Sequence, residues 1–170
     1  MTINKDQQAN DFWDYSLAVY QVNKIQTLCL QLQDEVNADV NLILFSAWLA
    51  KQKISFTAKR VLQAGEKITQ WQESVIKPLR RVRVTVKAIS SQSVFYEKIK
   101  AAELAAEFES QQRLYFLSSS WQTESNKIHV VDNLRCYFLS LGNPDVQLKQ
   151  QQSIELLAEL LNEENKKHSI

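Results

Sequence analysis

The stretch ADVNLILFSAWLA, residues 38–50, decides the fold class. From Val40 to Ala50 only Asn41 and Ser46 interrupt it, so its apolar side chains point to every side of a helix. A helix that is apolar all round is a central, buried element. Its length is about half the ~20 residues a membrane-spanning helix needs. Asp39 stands just before the run, where an N-cap accepts a hydrogen bond from a first-turn amide. A catalytic carboxylate or a metal ligand would look similar, and the position favours the cap. Asn41 shares a helix face with Phe45 and Trp48, so burial is expected, and a buried amide needs partners. Trp13, Asp14 and Ser16 of the first helix are the candidates to supply them. Trp13, Asp14, Ser16, Asp39, Asn41 and Trp48 then form either a polar core network, the favoured reading, or the floor of a pocket.

Two glycines and two prolines in 170 residues leave too few turn formers for an all-β chain. A sequence rich in Ala, Leu, Gln, Glu and Lys reads instead as all-α. The length suits one domain with a sizeable core, and 45% hydrophobic with 23% charged residues suits a globular chain. A net charge of +1 sets no global attraction for nucleic acid or a membrane. The opening MTINKDQQAND lacks the apolar stretch of a signal peptide, so a cytoplasmic protein without membrane contact is expected. Cys29 and Cys136 occupy apolar helical positions and read as buried reduced thiols, with a single bridge left open.

Around the central segment, periodicity predicts a helix from Asn10 or Asp11 to Tyr20 and a second from about Val22 to Val36. The longest element begins near Thr57. Its stripe reads Val61, Leu62, Gly65, Ile68, Trp71, Val75, Ile76, Leu79, Val82, Val86, and Pro78 kinks or divides it. AISSQS (88–93) is a turn, Val94 to Leu117 a helix, and SSSWQTESN (118–126) a polar loop. A helix from Lys127 to Leu141 ends at Gly142, and Asn143 with Pro144 opens the last one. Residues 1–9 and 163–170 are expected to fray. The fold predicted is an all-α, single-domain bundle, orthogonal or antiparallel, of six to seven helices. It has a long Pro78-kinked helix and a hairpin between the fourth and fifth helices.

Gly65 and Gly142 are too far apart for a phosphate-binding loop or a dinucleotide fingerprint, and no Gly-x-Ser-x-Gly elbow exists. Two cysteines and two histidines, widely spread, make no zinc pattern, so no metal and no cofactor is implied. His129 reads as structural or surface. DEVNAD (34–39) glances at the aspartate-rich helices of isoprenoid synthases, which hold diphosphate through magnesium. Asp34 and Asp39, five apart, differ by about 140° on a continuous helix and cannot share a face. Such an enzyme needs a second carboxylate cluster, from Glu103, Glu107 or Asp132, beside a cavity of at least ~300 Å³. Glu155, Glu159 and Glu163 read as a solvated face.

Between Ser74 and Tyr96 stand Lys77, Arg80, Arg81, Arg83 and Lys87, with no acid among them. With Trp121 of the polar loop they are a candidate surface for an anion or a partner: RNA, phosphate or an acidic protein. The other reading is internal pairing. In an antiparallel hairpin about the 88–93 turn, facing positions sum to about 183. Arg80 then meets Glu103, Lys77 meets Glu107 and Lys87 meets Glu97, while Arg81 and Arg83 stay unpaired. Three opposite-charge pairs in one register favour this second reading.

FWDYSLAVY (12–20), LQDEVNADVNLILFSAWLA (32–50) and WQESVIKPLRRVR (71–83) together resemble a family of uncharacterised small proteins of gammaproteobacteria, classed as a domain of unknown function. IKAAELAAE (99–107) and DNLRCYFLSLG (132–142) fit it more loosely. The resemblance implies an all-helical cytoplasmic bacterial protein, and it marks Trp13, Asp14, Asp39, Asn41, Trp48 and Trp71 as positions inside the motifs. The function expected is a non-enzymatic protein-interaction or regulatory domain whose partner is another protein. A nucleic-acid or phosphate binder using the 77–87 stripe is the second reading, and an isoprenoid-synthase-like enzyme the third.

Overall fold

Polar side chains set four of the helix starts. Asn10 Oδ1 accepts the Trp13 amide at 2.9 Å and opens α1 (Asp11–Tyr20). After a turn, α2 (Asn23–Val36) runs to Asn37, whose φ of 56° places it in the left-handed region that ends helices. Asp39 Oδ1 accepts the Asn41 amide at 2.8 Å and opens α3 (Val40–Lys51). Thr57 caps α4 (Ala58–Trp71), which passes through a π turn (Gln72–Ile76) into α5 (Lys77–Ser90). Ser93 caps α6 (Val94–Ser118), and α7 (Val130–Ser140) and α8 (Pro144–Lys167) complete the chain. The structure, a computed structural model, describes residues 10–142 and 144–167, and among them there is no strand. The expected fraying of 1–9 and 168–170 and the Asn143 cap lie outside the described residues.

The disturbance at Pro78 takes a specific form. Its ring would strike the carbonyl four residues back, and it has no amide to donate. The π turn absorbs the mismatch: the Lys77 amide reaches back five residues, to the Gln72 carbonyl, and the helix runs on. The predicted stripe holds at Val61, Ile68 and Ile76, while Ala64 and Gln72 replace Leu62 and Gly65 on the buried side. Past Pro78 the stripe meets no core, and α5 buries nothing.

The core forms round α3, which is buried continuously from Asn41 to Ala50 and packs on α1, α2, α6, α7 and α8. Ile43, Phe45 and Leu49 are wholly buried, each contributing about 1.5–3 kcal/mol. The Phe45 ring lies 5.2 Å from Phe12, 5.9 Å from Trp48 and 5.5 Å from Phe56. Trp121 joins this cluster, 6.0 Å from Phe45, with the Arg60 guanidinium 5.1 Å from its ring. Trp121, expected on a partner surface, is half-buried here, because the Glu124 amide, bound to the Lys53 carbonyl at 2.7 Å, draws the 119–129 connector onto the body. That connector also delays α7, which starts at Val130 rather than Lys127.

The expected fraying from 163 is corrected too. Helix α8 continues to Lys167, and its last turn docks on α3, where Asn165 Nδ2 donates to the Ala47 carbonyl at 3.1 Å. Cys29 and Cys136 are free thiols, the first buried and the second half-buried. Among the described residues no helix is long and apolar enough to cross a membrane.

Candidate functional site: a polar chain from the core to a basic arm

Asn41 is buried in the first turn of α3, and both ends of its amide are engaged. Its Nδ2 donates to Glu107 Oε2 at 2.5 Å, and its Oδ1 accepts from Gln111 Nε2 at 2.8 Å. Glu107 and Gln111 are four residues apart on α6 and so share a face. Glu107 Oε1 in turn accepts from Arg80 Nη2 at 2.8 Å, and Arg80 Nε donates to Glu103 Oε1 at 3.1 Å. Arg83 Nε pairs with the other Glu103 oxygen. A continuous polar chain thus runs from the core amide to the root of the α5–α6 hairpin.

The partners come from α6 and not from α1. Helix α1 turns Phe12 towards α3, within 5.4 Å of Trp48, and this rotates its polar residues aside. Asp14 is exposed, the Ser16 hydroxyl is buried without a partner among the described residues, and the Trp13 ring packs edge-on against Phe108 at 5.1 Å. Trp48 is an aromatic core residue beside Phe45 and Tyr115. Of the six residues expected in the network, Asp39 and Asn41 belong to it. Glu107 and Gln111 were missed because only the packed fold brings them, 66 and 70 residues away, to Asn41.

Asp39 does more than cap. Its amide donates to the Tyr137 hydroxyl at 2.6 Å, tying the start of α3 to α7. Burial and then the Glu107 charge push its carboxyl up to about 6, against the pull of the cap amides and Arg80. Burial likewise raises the Glu107 carboxyl, opposed by Asn41 and Arg80. Beside these groups a cleft of about 580 Å³ opens between the start of α3, α4 and the π turn. It meets the size asked of an isoprenoid-synthase cavity, and of the candidate carboxylates Asp39 and Glu107 line it while the others do not. Asp34 is exposed and outside the cleft, Asp132 sits with Arg135 at 4.0 Å, and Glu103 is held by two arginines. Among the described residues no group of three or more His, Cys, Asp or Glu could hold a metal.

The hairpin follows the expected register in part. Arg80 meets Glu103, but Lys77 pairs with Glu73 on its own helix, leaving Glu107 to Arg80. Arg83, expected to be free, takes Glu103 because it lies one turn after Arg80 and reaches the same carboxylate. Lys87 does not meet Glu97, which lies 3.9 Å from Lys100. Arg81, Lys87 and Lys98 have no ion partner among the described residues. Beyond this root, no side chain from 81 to 102 is buried, so the paired ends of α5 and α6 stand off the body as an arm.

The fold and site define a class: an all-helical domain whose core carries a polar relay into a protruding basic hairpin. The chain belongs to the family described as protein of unknown function (DUF2390), whose model matches residues 11–114. The match runs from α1 through most of α6, so it takes in the relay and the whole arm. No curated protein and no solved structure matches the chain.

Proposed function

We propose that the chain is a non-enzymatic protein-interaction domain that docks its α5–α6 arm on an acidic, partly apolar surface of another protein. One observation carries this reading. The arm leaves Val82, Val84, Ile89, Val94 and Phe95 exposed, by 41% to 80%, among seven basic residues and a single acid, Glu97, between positions 77 and 100. Exposed aliphatic and aromatic groups beside free cations suit a protein surface, where apolar burial supplies affinity and charge supplies orientation. A nucleic acid asks for many free cations along a backbone. Here Lys77, Arg80 and Arg83 are already engaged by carboxylates. The two free thiols suit a cytoplasmic setting.

The test is affinity purification from the native host after nuclease treatment. It compares the unaltered chain with two double variants, Arg81→Glu with Lys87→Glu and Ile89→Asp with Phe95→Asp. An acidic protein retained by the first and lost from both variants is expected. When purified, it should bind directly and more weakly as salt rises. Variants that retain the same proteins, or bound material that nuclease removes, would overturn the proposal.

A further inference from the structure

Helix α4 contains a feature that packing does not explain. Gly65 lies in its interior, where glycine costs about 1 kcal/mol against alanine. A Cβ built on Gly65 would meet nothing within 4 Å, so no neighbour demands the missing side chain. The residue lines the cleft of about 580 Å³, a volume in the range of small-molecule sites. The π turn supplies Gln72 and Glu73 to another wall, and such turns recur at functional sites. Tyr137, a residue only 2% exposed, also lines this space. Its hydroxyl accepts the Asp39 amide, while its own proton goes to no acceptor among the described residues.

Charge selects the ligand. Asp39, Glu66, Glu73 and Glu107 line the cleft against Lys77 and Arg80. Both cations are spent, Lys77 on Glu73 and Arg80 on Glu103 and Glu107. Neither Asp39 nor Glu66 forms an ion pair among the described residues, and at Asp39 the repulsion of Glu107 outweighs the pull of Arg80. We propose that this cleft binds a small aliphatic amine carrying a hydroxyl or carbonyl oxygen. Its ammonium sits at the Asp39 and Glu107 end, its oxygen accepts from Tyr137, and its carbon stem lies over Gly65 between Val61 and Leu141. An ammonium there offsets the carboxylate repulsion, and an anion adds to it.

Three probes of matched length separate the possibilities: aminopentanol, pentanediol and hydroxypentanoate, each followed by amide resonance shifts of the full chain. Aminopentanol is expected to move the signals of Asp39, Gly65 and Thr69 saturably, and the neutral and anionic probes to leave them in place. Gly65→Leu exchanges glycine for a strong helix former in open space, so it should melt higher than the unaltered chain while losing the aminopentanol response. Asp39→Asn keeps a capping side chain and should weaken binding by about tenfold or more. The proposal is overturned if aminopentanol moves no cleft signal, if hydroxypentanoate binds as well, or if folded Gly65→Leu responds unchanged. Should Gly65→Leu fail to fold, an undiminished response in Asp39→Asn overturns it instead.

Discussion

Asn133 shows what single residues do here that no local pattern announces. From α7 its Oδ1 accepts the Phe56 amide at 2.8 Å, while its Nδ2 donates to the carbonyls of Ile54 at 3.0 Å and Ser46 at 3.1 Å. One buried amide thus binds three backbone groups where the chain leaves α3. Asn133→Ala strands the Phe56 amide and the Ile54 carbonyl and removes a second bond from the helical Ser46 carbonyl, and a loss of about 3 kcal/mol in urea unfolding is expected. Nothing in the sequence marks it, because its partners lie 77 to 87 residues away. The cap at Asp39 was legible for the opposite reason, since its side chain and the amide it accepts are two residues apart; Asn10 and Thr57, read only as approximate helix starts, cap in the same local way. Asp39 adds a pH prediction. Its carboxyl is raised from 3.8 to about 6 in the fold, so the folded chain keeps a proton that the unfolded chain releases. That contribution is complete below the unfolded value and is lost as pH rises through about 6, so stability should fall between about pH 5 and about pH 7. Asp39→Asn retains the cap without the charge. Denaturant midpoints at the two pH values should therefore differ less in the variant than in the unaltered chain.

At the scale of elements, the hairpin register was legible because a short turn fixes which residues of two antiparallel helices oppose each other. What the register could not supply was the choice among neighbours one turn apart. Arginine is long enough for Arg80 and Arg83 to converge on Glu103, and Lys77 finds Glu73 on its own helix. The Glu103 side chain is only 11% exposed, so its pairs differ in kind from the Lys77–Glu73 pair, whose partners are 43% and 57% exposed. A double-mutant cycle on Arg80 and Glu103 should return a coupling of about 1 kcal/mol or more. The same cycle on Lys77 and Glu73 should return about 0.3–0.5 kcal/mol, the usual value for an exposed pair one helical turn apart. Both are read from unfolding midpoints, and equal couplings would mean that the relay into the core adds nothing. The same contrast explains why Pro78 was legible as a disturbance but not as a π turn. Proline dictates that a helical bond is lost, and the surrounding packing decides whether the helix bends, stops or swells.

Across the whole molecule, stability and recognition are assigned to different regions. The hub α3 touches five other helices, while α5 packs chiefly on α6 and the π turn. A core helix opens only when the molecule unfolds, whereas an element without buried apolar contacts can open by itself. Hydrogen exchange should therefore be slowest in α3 and α7 and much faster from 84 to 99. A stronger form of the prediction removes that segment. Deleting residues 84–99 and joining Arg83 to Lys100 through a short turn preserves the register that holds Arg80 on Glu103, and it takes away no buried side chain. The shortened chain should keep its helical spectrum and unfold cooperatively. Its denaturation midpoint should lie within about 1 kcal/mol of the full chain, since substitutions away from the core rarely cost more. If the body melts with the arm, then α5 and α6 are needed for folding, and the exposed apolar groups at their tip require a structural explanation. If the body survives and the acidic partner no longer binds, the arm exists for recognition, and the relay from Asn41 to Arg80 serves to root it firmly in the core.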